Sequence, residues 1–139
     1  MWFEINPLFL YSENTFYKMN IEELHAHCLS LNAVTEHFPF DEVTLVFKVK
    51  DKMFALIPLD NPQPQISLKC DPNRAINLRE QFESIVPAWH FNKKHWNTVL
   101  ISPEISTVLL KELIQHSYDL VVSGLPKKLQ EEFKKQIYS

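Results

Sequence analysis

The residues of this chain best suited to chemistry gather between Pro87 and Pro103, in the run PAWHFNKKHWNTVLISP. Trp89 and Trp96, His90 and His95, two asparagines, Lys93 and Lys94 stand just ahead of the apolar Val99–Ile101. Rings interleaved with donors and cations suit either a recognition surface or a loop anchored onto a core.

Two groupings follow. Lys69, Arg74, Arg79, Lys93 and Lys94 are the nucleic-acid candidates, because cations beside stackable rings are what single-stranded or groove binding requires. The plainer alternative makes them solvated flanks of a small protein. The second grouping is Trp89, His95, Trp96, Ser117 and Tyr118, which could wall a pocket between the aromatic loop 87–98 and a long helix. There they would offer indole, imidazole and hydroxyl groups to a small polar ligand or a protein partner. Its alternative is that the rings plug the sheet and His95 ties down the loop.

Other chemistry is excluded more firmly. Gly124 is the only glycine. Phosphate-cradling loops and nucleophile elbows need several, so Walker, Rossmann and GxSxG readings fall away. His25 and His27 stand two apart on a helix and point to different sides. His90 and His95 have no cysteine or carboxylate at ligand spacing, so no metal site is expected. His116, Ser117 and Tyr118 are adjacent helical residues facing different ways, which is no triad. The expectation is a non-enzymatic protein without a cofactor.

A chain of 139 residues, 45% apolar and 22% charged, fits one domain with its own core. Its net charge of −3 argues against a general phosphate seeker. The charge is uneven: residues 19–68 carry seven acids against three bases, and 69–139 carry eight against ten. Cys28 and Cys70, in neither a CxxC nor an export context, read as reduced thiols of a cytoplasmic protein. MWFEINPLFLY lacks the basic start and small-residue site of a signal peptide, and no apolar run has the ~20 residues of a membrane span.

Several elements must position these residues. Residues 1–18 look like an N-terminal extension, rich in aromatic and aliphatic side chains and expected to dock rather than hang loose. The domain proper is 19–139. Asn20 with Glu23 predicts a capped helix over 20–31. Strands are expected at 44–49, 53–58, 65–69 and 98–101, the first two joined by a tight turn at Lys50–Lys52. Asp71-Pro72 and Ser102-Pro103-Glu104 look like helix starts, the second opening a helix to about Ser123 that Gly124 ends in the left-handed conformation. A last helix follows Pro126. The fold class is α+β, a single domain with an antiparallel sheet and helices packed on one face.

The words TEHFPF (35–40), VFKVKDKMFAL (46–56), SLKCDPNRAINLRE (67–80), NKKHWNTVLI (92–101) and LIQHSYDLVVSGLPKK (113–128) resemble the MmcQ/YjbR family, small bacterial α+β proteins with a frataxin (CyaY)-like fold. The resemblance spans roughly residues 19–130. It implies that fold and, since members are commonly called DNA-binding, a weak, mainly phosphate-directed DNA contact. Fold alone does not carry function. The frataxin likeness also raises iron binding through an acidic ridge, for which the first helix offers only Glu22 and Glu23. Glycines expected near Asp41 and Asp51 are missing, and aspartate tolerates the left-handed turns they would serve.

Overall fold

The computed structural model describes residues 19–138, with side chains as far as Phe133. Asn20 opens the first helix as expected. Its side chain accepts the Glu23 N–H at 2.8 Å, and the Glu23 carboxylate accepts the Asn20 N–H at 3.0 Å, which satisfies two donors the helix leaves unpaired. This is α1 (Ile21–Ser30), followed by β1 (Val34–His37), β2 (Thr44–Val49), β3 (Lys52–Pro58) and β4 (Gln65–Lys69). Then come α2 (Pro72–Gln81), β5 (Ile85–Pro87), β6 (Trp96–Leu100), α3 (Thr107–Ser123) and α4 (Lys127–Tyr138). The strands form one six-stranded antiparallel sheet in the order β1–β2–β3–β4–β6–β5, so the class is α+β.

Strand alternation decides which side chains meet the helices. Leu45, Phe47 and Val49 of β2, Phe54, Ala55 and Ile57 of β3, Ile66 and Leu68 of β4, and Val99 of β6 join the main core. Leu24 and Cys28 of α1, Ala75 and Leu78 of α2, five residues of α3 and Phe133 of α4 pack against them, together with Met19, Cys70, Ile85, Ile101 and Ile105. Each large aliphatic or aromatic side chain so buried contributes roughly 1.5–3 kcal/mol. The opposite face carries a second, smaller cluster of Val46, Leu56, Ala88 and Trp96, to which no helix contributes. Among the described residues, the helices therefore gather on one side of the sheet, and only a loop folds over the other.

Three sequence expectations change. β1 and β5 join the sheet although neither stands out in the sequence, since they are only four and three residues long. Ser102-Pro103-Glu104 does not cap α3; Ser106 does, its hydroxyl accepting the Leu109 N–H at 3.0 Å. Ser102 and Glu104 instead hold Ser84, through a 2.6 Å hydroxyl pair and a 2.7 Å bond to its backbone N–H. Gly124 does end α3, but at φ −87° and ψ −3°, not in the left-handed region. Among the described residues the positive φ values fall on Ala33 (63°), Lys50 (50°) and Asp51 (66°). The last two form the two-residue turn between Val49 and Lys52, where a hairpin needs φ > 0 at both positions. The extension 1–18 lies outside the described residues.

Candidate functional site

A groove of about 670 Å³ runs across the open face of the sheet. Alternation puts Thr44, Leu56, Pro58, Gln65, Ser67, Val86 and Thr98 on its floor. One wall is Phe40 and Asp41 from the β1–β2 connection, with Asn61 beyond β3. The other is Trp89, His90 and Phe91 from the β5–β6 loop. Phe40 is 59% and Trp89 65% exposed, so the two walls present rings to solvent.

The β5–β6 loop is held from beneath. Ala88 donates its N–H to the Trp96 carbonyl at 3.1 Å, and the Asn92 carbonyl accepts from both His95 and Trp96. The Asn92 side chain accepts the Lys94 N–H at 3.0 Å. The rings of Phe91 and Trp96 lie 5.6 Å apart over Val46 and Leu56, which pins the loop to the sheet. Across the groove, the Asp41 carboxylate accepts the Val43 and Thr44 N–H groups at 2.9 and 2.6 Å and the Thr44 hydroxyl at 3.0 Å. Those bonds hold its pKa below the usual carboxylate range and set the wall's shape. On the floor the Ser67 and Thr98 hydroxyls pair at 2.8 Å. Among the described residues, neither lysine nor arginine lines the groove.

The five nucleic-acid candidates divide. Arg74 lies in the helical layer, where its guanidinium forks onto the Glu112 carboxylate, one arm at 2.8 Å. The pair raises the arginine's pKa and lowers that of Glu112. Arg79 donates to the side chain of buried Asn97 at 2.8 Å and to the Lys93 carbonyl at 3.3 Å, fastening the loop to α2. Lys69, Lys93 and Lys94 remain as surface cations. Lys69 follows Ser67 at strand spacing and so shares the open face. The Lys93 ammonium lies 4.3 Å from the centre of the Trp89 ring. Lys48, whose strand neighbours Phe47 and Val49 are core, also turns to the open face, and the reading of the sequence missed it. Its position in TLVFKV held that signal, because it alternates with those apolar residues.

The five ligand candidates are not brought together either. Trp89 walls the groove, but Trp96 is 8% exposed and packs beneath the loop as a core ring. His95 accepts the Cys70 N–H through its backbone carbonyl at 2.7 Å. Ser117 and Tyr118 belong to α3, on the far side of the sheet. The Ser117 hydroxyl accepts the Lys69 N–H at 2.9 Å and donates to the Phe54 carbonyl at 2.6 Å. Phe54 is the bulged residue of β3, because Phe47 pairs with Ala55 and Lys48 with Met53. The β3–β4 pairing stops at Ala55 and Leu68, and the serine bridges the two groups just past that point. The Tyr118 hydroxyl donates to the Asn32 carbonyl, and burial pushes its pKa up to about 12. Burial likewise raises Cys28 to about 12 and Cys70 to about 11.

No group of three or more His, Cys, Asp or Glu side chains could share a metal ion among the described residues. Among the same residues no helix is long and apolar enough to cross a membrane.

A single antiparallel sheet, covered by helices on one side and by one aromatic loop on the other, defines a small α+β domain with an open-face groove. The chain belongs to the YjbR family, whose model matches residues 29–120. It is 40% identical to the uncharacterised Escherichia coli protein YbdF over 106 residues, 76% of this chain and 87% of that one. To Escherichia coli YjbR, also uncharacterised, it is 31% identical over 110 residues, 79% and 93% of the two chains. Among solved structures, a Deinococcus radiodurans protein with a DUF419 domain superposes with a TM-score of 0.78 at 40% identity. That match covers 83% of this chain and 88% of the other. A Pseudomonas syringae protein gives 0.63 at 27% identity, covering 73% and 98%.

Proposed function

We propose that this protein works by binding rather than catalysis, holding a small, uncharged, partly aromatic ligand in the open-face groove. The groove itself carries the proposal. Its volume of about 670 Å³ lies in the range of roughly 300–1,000 Å³ usual for small-molecule sites. Exposed rings stand on two sides for stacking, and Gln65, Asn61 and His90 offer hydrogen bonds between them. Asp41, with no lysine or arginine in the lining among the described residues, favours a ligand without negative charge. A cytoplasmic setting goes with this proposal, since Cys28 and Cys70 are free thiols.

Titrating neutral aromatic amides and heterocycles into labelled protein tests it by NMR. Amide shifts are expected to cluster at Thr44, Ser67 and Thr98, with Trp89→Ala weakening any hit about tenfold, as loss of one stacking contact should. Shifts confined to other surfaces, or none across the series, would refute it.

A second reading, nucleic-acid binding, draws on Lys48, Lys69, Lys93 and Lys94. None of them makes an ion pair among the described residues, and Lys93 sits over an exposed indole. With so few cations and a negative net charge, affinity should be micromolar or looser and the salt slope about three to four. Replacing both Lys93 and Lys94 by alanine should weaken all DNA sequences alike, because lysines on phosphates position without reading bases. Unchanged affinity would remove the loop from this reading.

A further inference from the structure

Asp41 disfavours anions in the groove, but a carboxylate facing exposed rings would by itself invite cations. Phe40, Trp89 and Phe91 stand around the same space, and the faces of such rings attract positive charge. A groove that takes uncharged ligands therefore needs a second discriminating group. Lys93, at the rear of one wall, has the chemistry and the position for it.

The Lys93 ammonium lies 4.3 Å from the centre of the Trp89 ring. Trp89 lines the groove and Lys93 does not, so the ammonium meets the indole from outside the groove. The backbone is tied on both sides of this contact: the Ala88 N–H donates to the Trp96 carbonyl at 3.1 Å, and the Lys93 carbonyl accepts from Arg79 at 3.3 Å. A ligand ring stacked on the groove side would lie roughly 3.5–4 Å in front of the indole. A cationic ring there would face the ammonium through the indole at roughly 8 Å, near enough for two like charges to repel. A neutral ring meets no such penalty. Specificity built this way rests on repulsion of the wrong ligand rather than on extra attraction for the right one.

We propose that Lys93 is a specificity-determining residue of the groove. Backing Trp89, it turns away cationic rings as Asp41 turns away anions, and the two leave neutral aromatic amides and heterocycles as the ligand class. The proposal rests on the groove being a ligand site. The N–H edge of such a ligand suits the Asp41 wall, while its ring suits Trp89.

Quinoline-3-carboxamide and its N-methylquinolinium salt test this as a matched pair, sharing ring and amide and differing by one positive charge. In the unaltered protein at low ionic strength, the neutral member should bind the more tightly, with amide shifts at Thr44, Ser67 and Thr98. Lys93→Gln should move the affinity ratio about fivefold toward the cation, the effect of removing one unit charge roughly 8 Å away near a protein surface. The bond from Arg79 survives this substitution, because it uses the backbone carbonyl. Lys93→Arg should restore the ratio. Lys94→Gln removes an equal charge that sits over no ring among the described residues, and should move the ratio less than about twofold. A ratio unmoved by Lys93→Gln, or moved as far by Lys94→Gln, overturns the proposal and leaves the groove standing as a ligand site. Tighter binding of the cationic member to the unaltered chain does the same. Binding of neither member at those three residues overturns both. In the protein without ligand, the Lys93 ε-methylene protons should resonate upfield of those of Lys94, shielded by the indole, and equal positions also overturn the proposal.

Discussion

Ser117 shows how a residue that looks chemical can be structural. Its hydroxyl stands where β3 and β4 diverge, giving the Phe54 carbonyl and the Lys69 N–H the partners the ladder withholds. Ser117→Ala orphans both groups in a site with no solvent access, and each buried unpaired group costs about 1–3 kcal/mol. The expected loss is about 2–3 kcal/mol, read as a lower urea midpoint at unchanged slope. A loss under about 0.5 kcal/mol would mean that these two groups find other partners. Arg79 has a similar role in the layer of α2. Removing it strips buried Asn97 of its charged donor and frees the Lys93 carbonyl, so Arg79→Ala should destabilise the fold and speed exchange in the loop 88–95 most of all.

At the level of elements, the chain's single glycine sits where none is required. Gly124 has right-handed geometry, and an added Cβ would lie 3.5 Å from the Leu120 carbonyl, an ordinary contact. Ala33, at φ 63°, takes the left-handed conformation that a Cβ resists by roughly 1–2 kcal/mol. Two opposite exchanges should therefore both stabilise. Gly124→Ala gains about 0.4–1 kcal/mol by restricting the unfolded chain. Ala33→Gly gains a similar amount from relief of strain, less the entropy glycine brings to the unfolded state. Thermal denaturation of the two variants checks this, and a lowered midpoint in either contradicts it. These positions also mark what was legible in the sequence. The short apolar runs in TLVFKV and KMFALIP either side of a polar turn, the Asn20–Glu23 pair and Asp71-Pro72 placed the hairpin and two helices well, because each signal is local. β1 and β5 owe their place to neighbouring strands, which no local pattern encodes. The site was half legible for the same reason. The loop with Trp89 was visible in its composition, but the groove needs Phe40 and Thr44 brought across the sheet to face it. Arg74 and Arg79 read as free cations because Glu112 and Asn97 are distant in sequence.

For the molecule as a whole, the titrating groups predict how stability varies at the two ends of the pH scale. Cys28, Cys70 and Tyr118 all have folded pKa values raised by burial, the thiols from 9.0 and the phenol from 10.0. The stability they contribute is complete below about pH 9, where both states are protonated. It is lost as pH climbs toward 12, because the unfolded chain ionises first. Asp41 has the opposite sign: its lowered folded pKa gives stability at neutral pH that disappears as pH falls below the ordinary carboxylate value of 3.8. Urea midpoints should therefore fall steadily from pH 9 to 11, and neither thiol of the native protein should alkylate at pH 8. Rapid labelling of Cys28 before unfolding would contradict its burial.

The sheet also partitions the described apolar interior into two unequal reservoirs, and among the described residues the smaller is sealed by the segment 88–95. Such an arrangement permits a partial opening in which that segment swings out while the helical side stays intact. In that excited state Val46, Leu56 and Trp96 meet solvent, and the groove loses its back wall and widens into a trough. Ligand and solvent would then compete for the same indole, making Trp96 emission a reporter of the breathing motion. Anything wedged against Phe91 and Trp89 would slow that motion and stabilise the native state from the side of the smaller cluster.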